Sequence, residues 1–331
     1  MSDVKSLRQV LAEYGLDNAK CSLLSDKGKK SVWKIETSNG YAVLKKMPGS
    51  PSRTSWLARA VDHLGRSGVN LAPLIPSLKG SLSVTADQSG FILYRWLSGR
   101  QPEFNRDLDA ILESMACFHR GGKGFQLSPE EHMRSHLGKW QDDYAKKRII
   151  LTQIRDEKCH IMFDKFSRQV FKYINYFIDK IVRMEKQLKA SCYKEWVNRL
   201  GVNTCFCHQD FSPKNLRWHE GKVYIFDYDS LTLDIPARDI RKLINKLMKK
   251  KSLDKILLNN IYQLYNKYNQ ITESEWRVVL TDLLFPHLFY GIVTKYYFKR
   301  AQDWSKEKYI KKLESMINVE LEKDIVLSGL I

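Results

Sequence analysis

Near the middle of the chain, His208-Gln209-Asp210-Phe211-Ser212-Pro213-Lys214-Asn215 sets a histidine, a carboxylate and an amide close together, and Ile225-Phe226-Asp227-Tyr228-Asp229 follows shortly after. Phosphoryl transfer asks a protein for little covalent chemistry. It needs a carboxylate to take the proton of an acceptor hydroxyl, and oxygen ligands that hold magnesium against the phosphates. Asp210, at the end of a short apolar strand, suits the first task. Asn215 and Asp227 are ligand types for the second, and His208 suits a hydrogen-bonding anchor for the loop rather than a nucleophile. An isolated H-x-D-x-x-x-x-N is a weak signal, because Asp, Pro and Asn are ordinary turn residues. Here an apolar strand precedes it, a second strand ending in Asp-aromatic-Asp follows it, and a lysine-bearing hairpin lies far upstream.

The elements that must position these residues fall into two textures. Val4, Leu7, Val10, Leu11 and Tyr14 recur at helical spacing, with Gly15 as a stop. Ser31–Thr37 then alternates, Asn39-Gly40 is a hairpin turn, and Tyr41–Lys45 is the returning strand. A helix is expected over Ser55–Arg66, and strands over Leu82–Thr85 and Phe91–Trp96. This strand-rich part ends near Leu97-Ser98-Gly99. Beyond it the chain is mainly helical. Leu108, Ile111, Leu112, Met115 and Phe118 form a stripe closed by Gly121-Gly122, and Phe163 to Met184 make a long amphipathic helix. Ser128-Pro129-Glu130-Glu131 and Thr272–Glu275 read as capping boxes. Short strands are expected at Thr204–Cys207 and Val223–Phe226. The predicted organisation is α+β: a small strand-rich N-lobe over residues 1–97 that binds nucleotide, and a mainly helical C-lobe over 98–331 with the catalytic loop and acceptor site.

Composition excludes several other classes. A hydrophobic content of 43% with 11% aromatics is that of a folded protein. The net charge of +18 favours anionic partners such as nucleotides. The densest basic run, Arg241–Lys255, is spaced by Leu243, Ile244, Leu247 and Met248, which makes it an amphipathic helix with a basic outer face rather than a nucleic-acid patch. Six scattered cysteines and a charged, amphipathic start without an apolar signal core predict cytoplasmic synthesis with free thiols. Cys205-Phe206-Cys207-His208 lacks a second matching pair, so it reads as a buried strand and not a metal site. Val278–Val293, interrupted by Asp282, Pro286 and His287, reads as a buried helix and not a membrane span.

The catalytic-loop segment resembles that of the aminoglycoside phosphotransferase and choline kinase superfamily. The narrower likeness is to the CotS-type spore coat proteins of endospore-forming bacteria, through Ser114-Met115-Ala116-Cys117-Phe118-His119, Leu137-Gly138-Lys139-Trp140 and Leu233-Asp234-Ile235-Pro236-Ala237-Arg238-Asp239. The resemblance spans nearly the whole chain and implies a bilobal, protein-kinase-like fold. It implies ATP or another nucleoside triphosphate with Mg2+ as cofactors, Asp210 as catalytic base, and Asn215 and Asp227 as magnesium ligands. It further implies Lys45 as the strand lysine on the nucleotide phosphates, with Lys46 as its competitor, and Tyr94, Arg95, Trp96 and Leu97 as the hinge whose backbone meets adenine. Asp239 resembles an aspartate that supports the catalytic loop, and it reads equally as a helix N-terminal carboxylate.

Two departures from the pattern stand out. The phosphate-covering loop, Asp26–Ser31, has one glycine, and its lysines read as a solvated turn. The helix after the strand lysine has no glutamate to pair with it, Asp62 being its acid. Two functions remain open: an ATP- and magnesium-dependent phosphotransferase acting on a hydroxyl of a small molecule or carbohydrate, and a catalytically weak kinase-fold scaffold that contacts other spore coat proteins. Neither reading calls for nucleic acid or membrane. No extended segment resembling the activation loop of a protein kinase lies between Asp227 and Asp239, which favours a small or carbohydrate acceptor over a protein.

Overall fold

The computed structural model describes residues 2–28, 30–126, 134–158, 164–201, 204–249, 253–301 and 303–330. The capping box expected at Ser128–Glu131 lies outside the described residues. The chain forms two compact units, Met1–Ser135 with Val202–Leu233 and Leu264–Asn269, and His136–Gly201 with Asp234–Gln263 and Gln270–Ile331.

In the first unit, helix α1 (Ser2–Ala12) precedes strands β1 (Cys21–Asp26), β2 (Ser31–Thr37) and β3 (Gly40–Met47). Helix α2 (Pro51–Arg66), strands β4 (Val84–Ala86) and β5 (Ser89–Arg95), and helix α3 (Leu108–Gly121) follow. The five strands form one antiparallel sheet in the order β1-β2-β3-β5-β4. Alternation along β3 divides its side chains. Ala42 and Leu44 join Val10, Leu11, Ile35 and Leu93 in a core beneath α1, while Val43 and Lys45 face the opposite side. β1 went unseen in the sequence because Cys-Ser-Leu-Leu-Ser-Asp does not alternate and sits, largely exposed, at the sheet edge. Helix α2 starts earlier than the apolar spacing indicated, because the Ser50 side chain caps Arg53 N and Pro51 opens the first turn.

The segment around His208 adds four short strands to this unit. β6 (Phe206–Cys207) pairs with β9 (Thr232–Leu233), and β7 (Leu216–His219) makes a hairpin with β8 (Lys222–Ile225). β7 (Leu-Arg-Trp-His) is too polar to read as an apolar strand, and β9 spans only two residues. Ile225 is stitched to the stretch before β4: its N–H donates to Asn70 O at 3.0 Å, and its carbonyl accepts from Ala72 N at 3.1 Å. Trp218 N donates to Arg100 O at 2.8 Å, which lays the chain leaving β5 along β7. Gly99 makes that approach feasible. Its φ is +109°, and a Cβ there would fall 2.0 Å from the Trp218 carbonyl oxygen.

The second unit is helical: α4 (Trp140–Lys158), α5 (Lys165–Ala190), α6 (Tyr193–Gly201), α7 (Ala237–Met248), α8 (Lys255–Tyr268, whose last turn belongs to the first unit), α9 (Glu273–Leu284), α10 (His287–Tyr297) and α11 (Lys306–Leu327). The capping box at Thr272 and Glu275 forms on α9. Val278–Val293 is two helices rather than one, broken at Phe285-Pro286, where proline lacks the amide hydrogen a continuous helix needs. Glu273–Tyr297 is long and apolar enough to cross a bilayer, but 72% of its apolar window is buried inside the protein. The basic run also divides. Leu243, Ile244, Leu247 and Met248 bury one side of α7, and Arg241 is buried with them. Its guanidinium donates to Asp282 Oδ2 at 2.9 Å, while Tyr144 Oη and His287 Nε2 donate to Oδ1 at 2.8 and 2.7 Å. Burial works against the Asp282 charge, yet Arg241 and His287 hold its carboxyl well below the usual range.

Two glycines test the packing of the first unit with opposite sign. A Cβ on Gly90 in β5 would lie 2.2 Å from Thr54 Oγ1 on α2, whereas one on Gly65 inside α2 would meet nothing within 4 Å. In urea denaturation, Gly90→Ala is expected to lose about 1–3 kcal/mol through overpacking. Gly65→Ala is expected to gain about 0.5–1 kcal/mol from helix propensity. A stable Gly90→Ala would show that the sheet and α2 are not in the contact described.

Candidate active site

Lys45 reaches the site because β3 is an inner strand, held by β2 on one side and β5 on the other. Only 8% of its side chain is exposed. Its ammonium lies 2.5 Å from Asp227 Oδ1 and 2.5 Å from Asp229 Oδ1. Lys30, at the tip of the β1–β2 hairpin, sits on the same two carboxylates, 3.0 Å from Asp227 Oδ1 and 2.6 Å from Asp229 Oδ2. The four groups form a closed, neutral ring of charge. Burial raises the cost of the Asp227 charge, but the Lys45 and Lys30 ammoniums outweigh it and hold the carboxyl well below the ordinary carboxylate range. Lys30 is moved the other way: burial disfavours its charge, and Asp229 and Asp227 more than restore it.

The backbone is shaped to present these carboxylates. Asp227 adopts a left-handed conformation with φ 67° and ψ 60°, uncommon for any residue but glycine, and Gln209 shares it at φ 68°. Such conformations persist when their surroundings over-determine them. Arg53 Nη2 donates to Asp229 O at 3.0 Å, Gln209 Nε2 donates to Ser230 O at 3.1 Å, and the Tyr228 hydroxyl is buried between Ile225 O and Ala72 N.

The remaining predicted residues form a second group on the same framework. His208 is fully buried; its Nε2 donates to Phe226 O at 3.0 Å, and its Nδ1 accepts from Asp210 N at 3.3 Å. The ring therefore ties the loop before β7 to the strand end before Asp227. Asn215 Nδ2 donates both to Asp210 O and to Asp210 Oδ2, each at 2.9 Å, and Asn215 O accepts from Phe226 N at 3.1 Å. Lys214 Nζ lies 2.9 Å from Asp210 Oδ2, on a side chain that is two-thirds exposed. His208, Asp210 and Asn215 thus make one hydrogen-bonded group, joined to Asp227 through the backbone of Phe226. They do not line the cleft that Lys45 and Asp227 line.

That cleft has a volume of about 340 Å3. Val32 and Val43 from the sheet and Ala72 and Phe226 from the segment below give it apolar walls, and Tyr94, Arg95, Trp96 and Leu97 run along one edge. The edge is fixed by its own backbone: Arg95 N donates to Pro73 O at 2.8 Å and Trp96 N to Tyr41 O at 3.1 Å. The Lys34 ammonium lies 3.5 Å from the Tyr41 ring and 4.9 Å from that of Trp96.

Several residues were out of reach of the sequence. Asp62 pairs with Arg66 one turn along α2, not with Lys45. The carboxylate that Lys45 does meet, besides Asp227, is Asp229, two residues further on; the Asp-aromatic-Asp pattern carried that signal, but no partner had been assigned to the second aspartate. Lys30, read as part of a solvated turn, is ion-paired and 29% exposed. Asp239 is buried in the first turn of α7.

The charge ring predicts a pH dependence. Because the folded-state pKa of Asp227 is depressed, its contribution is present above the unfolded value of about 3.9 and is lost as pH falls through the lower folded value. The stability difference between the protein and Asp227→Asn is therefore expected to stay constant from about pH 7 to pH 5 and to shrink in acid. A difference that grows below pH 4 in chemical denaturation would contradict the pairing.

Comparison with known proteins identifies the family and the fold. Residues 8–330 match the family described as "Spore coat putative kinase YutH". Spore coat protein S of Bacillus subtilis (strain 168) is 30% identical over 325 residues, covering 97% of this chain and 93% of its own. Among solved structures, an aminoglycoside phosphotransferase from Alicyclobacillus acidocaldarius superposes with a TM-score of 0.78 at 17% identity, over 98% of this chain and 94% of that one. An amicoumacin kinase in complex with AMP-PNP, Ca2+ and Ami gives 0.66 at 14% identity, over 97% and 94%. These likenesses establish the kinase-like fold of the aminoglycoside phosphotransferase type, α+β with a small antiparallel sheet and a mostly helical remainder. The family match and the 30% identity go further: the chain belongs to the spore coat YutH family of kinase-like proteins.

Proposed function

We propose that the chain is an ATP- and magnesium-dependent phosphotransferase acting on a hydroxyl of a small molecule or glycan, and that it works in the spore coat. The observation that carries this reading is the Lys45 ammonium held between Asp227 and Asp229 at the end of an apolar slot with a strand edge beside it. The slot accepts a flat base. Alternate backbone groups of Tyr94–Leu97 point to the same side, so with Arg95 N directed at Pro73 and Trp96 N at Tyr41, the edge offers Arg95 O and Leu97 N to the base. Residues 1–97 would then supply the nucleotide-binding lobe, and 98–331 the catalytic loop and acceptor site.

The donor set suits a hard divalent ion. Asn215 commits its Nδ2 to Asp210 and so keeps its amide oxygen as a ligand atom, and Asp227 brings a carboxylate. Magnesium held there would neutralise charge on the transferring phosphoryl group. Lys45 would hold the phosphates, and the Asp210 carboxylate, one-third exposed, would accept the proton of the acceptor hydroxyl. His208 keeps that loop in register from below, without contact with substrate.

A second reading, a kinase-fold coat component with little or no turnover, is favoured by the single glycine at Gly28 and by the two carboxylates already being neutralised by two lysines. Melting with nucleotide separates the two. Mg-ATP at a hundredfold excess over its dissociation constant should stabilise the native state by about 2.7 kcal/mol. No rise in melting temperature with millimolar Mg-ATP would remove the enzyme reading. Once an acceptor is found, Asp210→Asn is expected to fold normally and to slow transfer by about 10²–10⁴-fold. Full activity in that variant would exclude Asp210 as the base.

A further inference from the structure

The Lys30 ammonium stands where positive charge is needed twice over. It contacts both Asp227 and Asp229, and so does Lys45, leaving a ring of two positive and two negative charges. A divalent ion taken up by Asp227 would meet a carboxylate whose charge is already matched, so one ammonium must leave. Lys45 is anchored on an inner strand with its side chain 8% exposed. Lys30 is the one better able to move. Its side chain is 29% exposed against 8% for Lys45, and a lysine's four-carbon stem has several rotatable bonds. The described residues around it are tied together: Lys27 N donates to Lys30 O at 2.8 Å, and Asp26 Oδ1 accepts from Gly28 N and Ser31 Oγ, each at 2.9 Å. A swing of the side chain alone, with these hydrogen bonds kept, would carry the ammonium off the carboxylates while Lys30 still lines the cleft beside Lys27.

We propose that Lys30 is a ligand for the nucleotide phosphates that occupies the metal-binding carboxylates until those phosphates arrive, so that nucleotide and metal enter together by exchange of charge. This deepens, and rests on, the nucleotide-and-metal reading of the cleft. It also gives the one-glycine loop a purpose: where several backbone N–H groups would approach the phosphates in a glycine-rich loop, a single ammonium does so here. Metal without phosphate must compete with Lys30, phosphate without metal draws Lys30 away from Asp227 and Asp229, and each therefore favours the other.

The test uses the full chain, with Mn2+ alone and metal-free ATP as separate probes in calorimetry, on the unmodified protein, Lys30→Met, Lys30→Arg and Asp227→Asn. Lys30→Met is expected to bind Mn2+ about tenfold more tightly than the unmodified protein and metal-free ATP about tenfold more weakly, within the roughly 5- to 150-fold range of such couplings. Lys30→Arg, which keeps the charge, should resemble the unmodified protein in both. If Lys30→Met and Lys30→Arg leave Mn2+ affinity unchanged while Asp227→Asn abolishes it, the exchange is wrong and the cleft reading survives. If Asp227→Asn does not alter Mn2+ binding and ATP binds none of the four proteins, both fall.

Discussion

Two carboxylates in a partly dry cleft repel each other and lose hydration, so they are held together only if cations of fixed position hold them. Lys45 is that fixed cation. It lies on an inner strand of the sheet, and everything around it serves to bring Asp227 and Asp229 to its ammonium. The stitching of Ile225 to Asn70 and Ala72, the His208 bond to Phe226 O, and the clamps of Arg53 and Gln209 on the turn after Asp227 all fix where that strand end stops. Removing one partner from a buried ion pair costs about 3–5 kcal/mol, because the survivor keeps its charge and loses its compensation. The left-handed backbone at Asp227 is sustained by these same contacts.

The arrangement departs from the kinase pattern in one respect that clarifies the rest. A strand lysine is ordinarily oriented by a glutamate from the following helix. Here α2 supplies no such group: Asp62 is taken by Arg66, and the second carboxylate comes from Asp229 on the far side of the same turn as Asp227. Helix α2 still contributes, through Arg53, but it acts on the carbonyl of Asp229 rather than on Lys45. Orientation of the lysine and presentation of Asp227 are thereby merged into one short turn.

What the sequence disclosed, and what it hid, follow from the range of the interactions. His208, Asp210, Asn215 and Asp227 lie within one short stretch, and their types and spacing alone marked them as a unit; the structure brings the first three into one hydrogen-bonded group and joins Asp227 through Phe226. The hairpin around Asn39-Gly40, the α3 stripe and the Thr272–Glu275 cap were legible for the same local reason. The pairings of Lys45 and Lys30 with Asp227 span 182 and 197 residues, and no local pattern specifies which loop lysine points inward. β1 lacks alternation, β7 is half polar, β9 is two residues long, and Pro286 marks a break between α9 and α10 without showing locally whether it kinks one helix or ends it.

The first unit is discontinuous, being completed only by Val202–Leu233 and Leu264–Asn269. A ribosome delivers Lys30 and Lys45 long before it delivers their counterions, so while the intervening residues are made, the nascent sheet carries two ammoniums with no acid in place to meet them. The sheet can begin to pack beneath α1 during that interval, but its charged face must stay hydrated until about two-thirds of the polypeptide exists. Long-range closure of this kind is the slow part of folding. In this protein the charge ring around Lys45 can close only after the strand end at Asp227 has been made, long after the sheet that faces it.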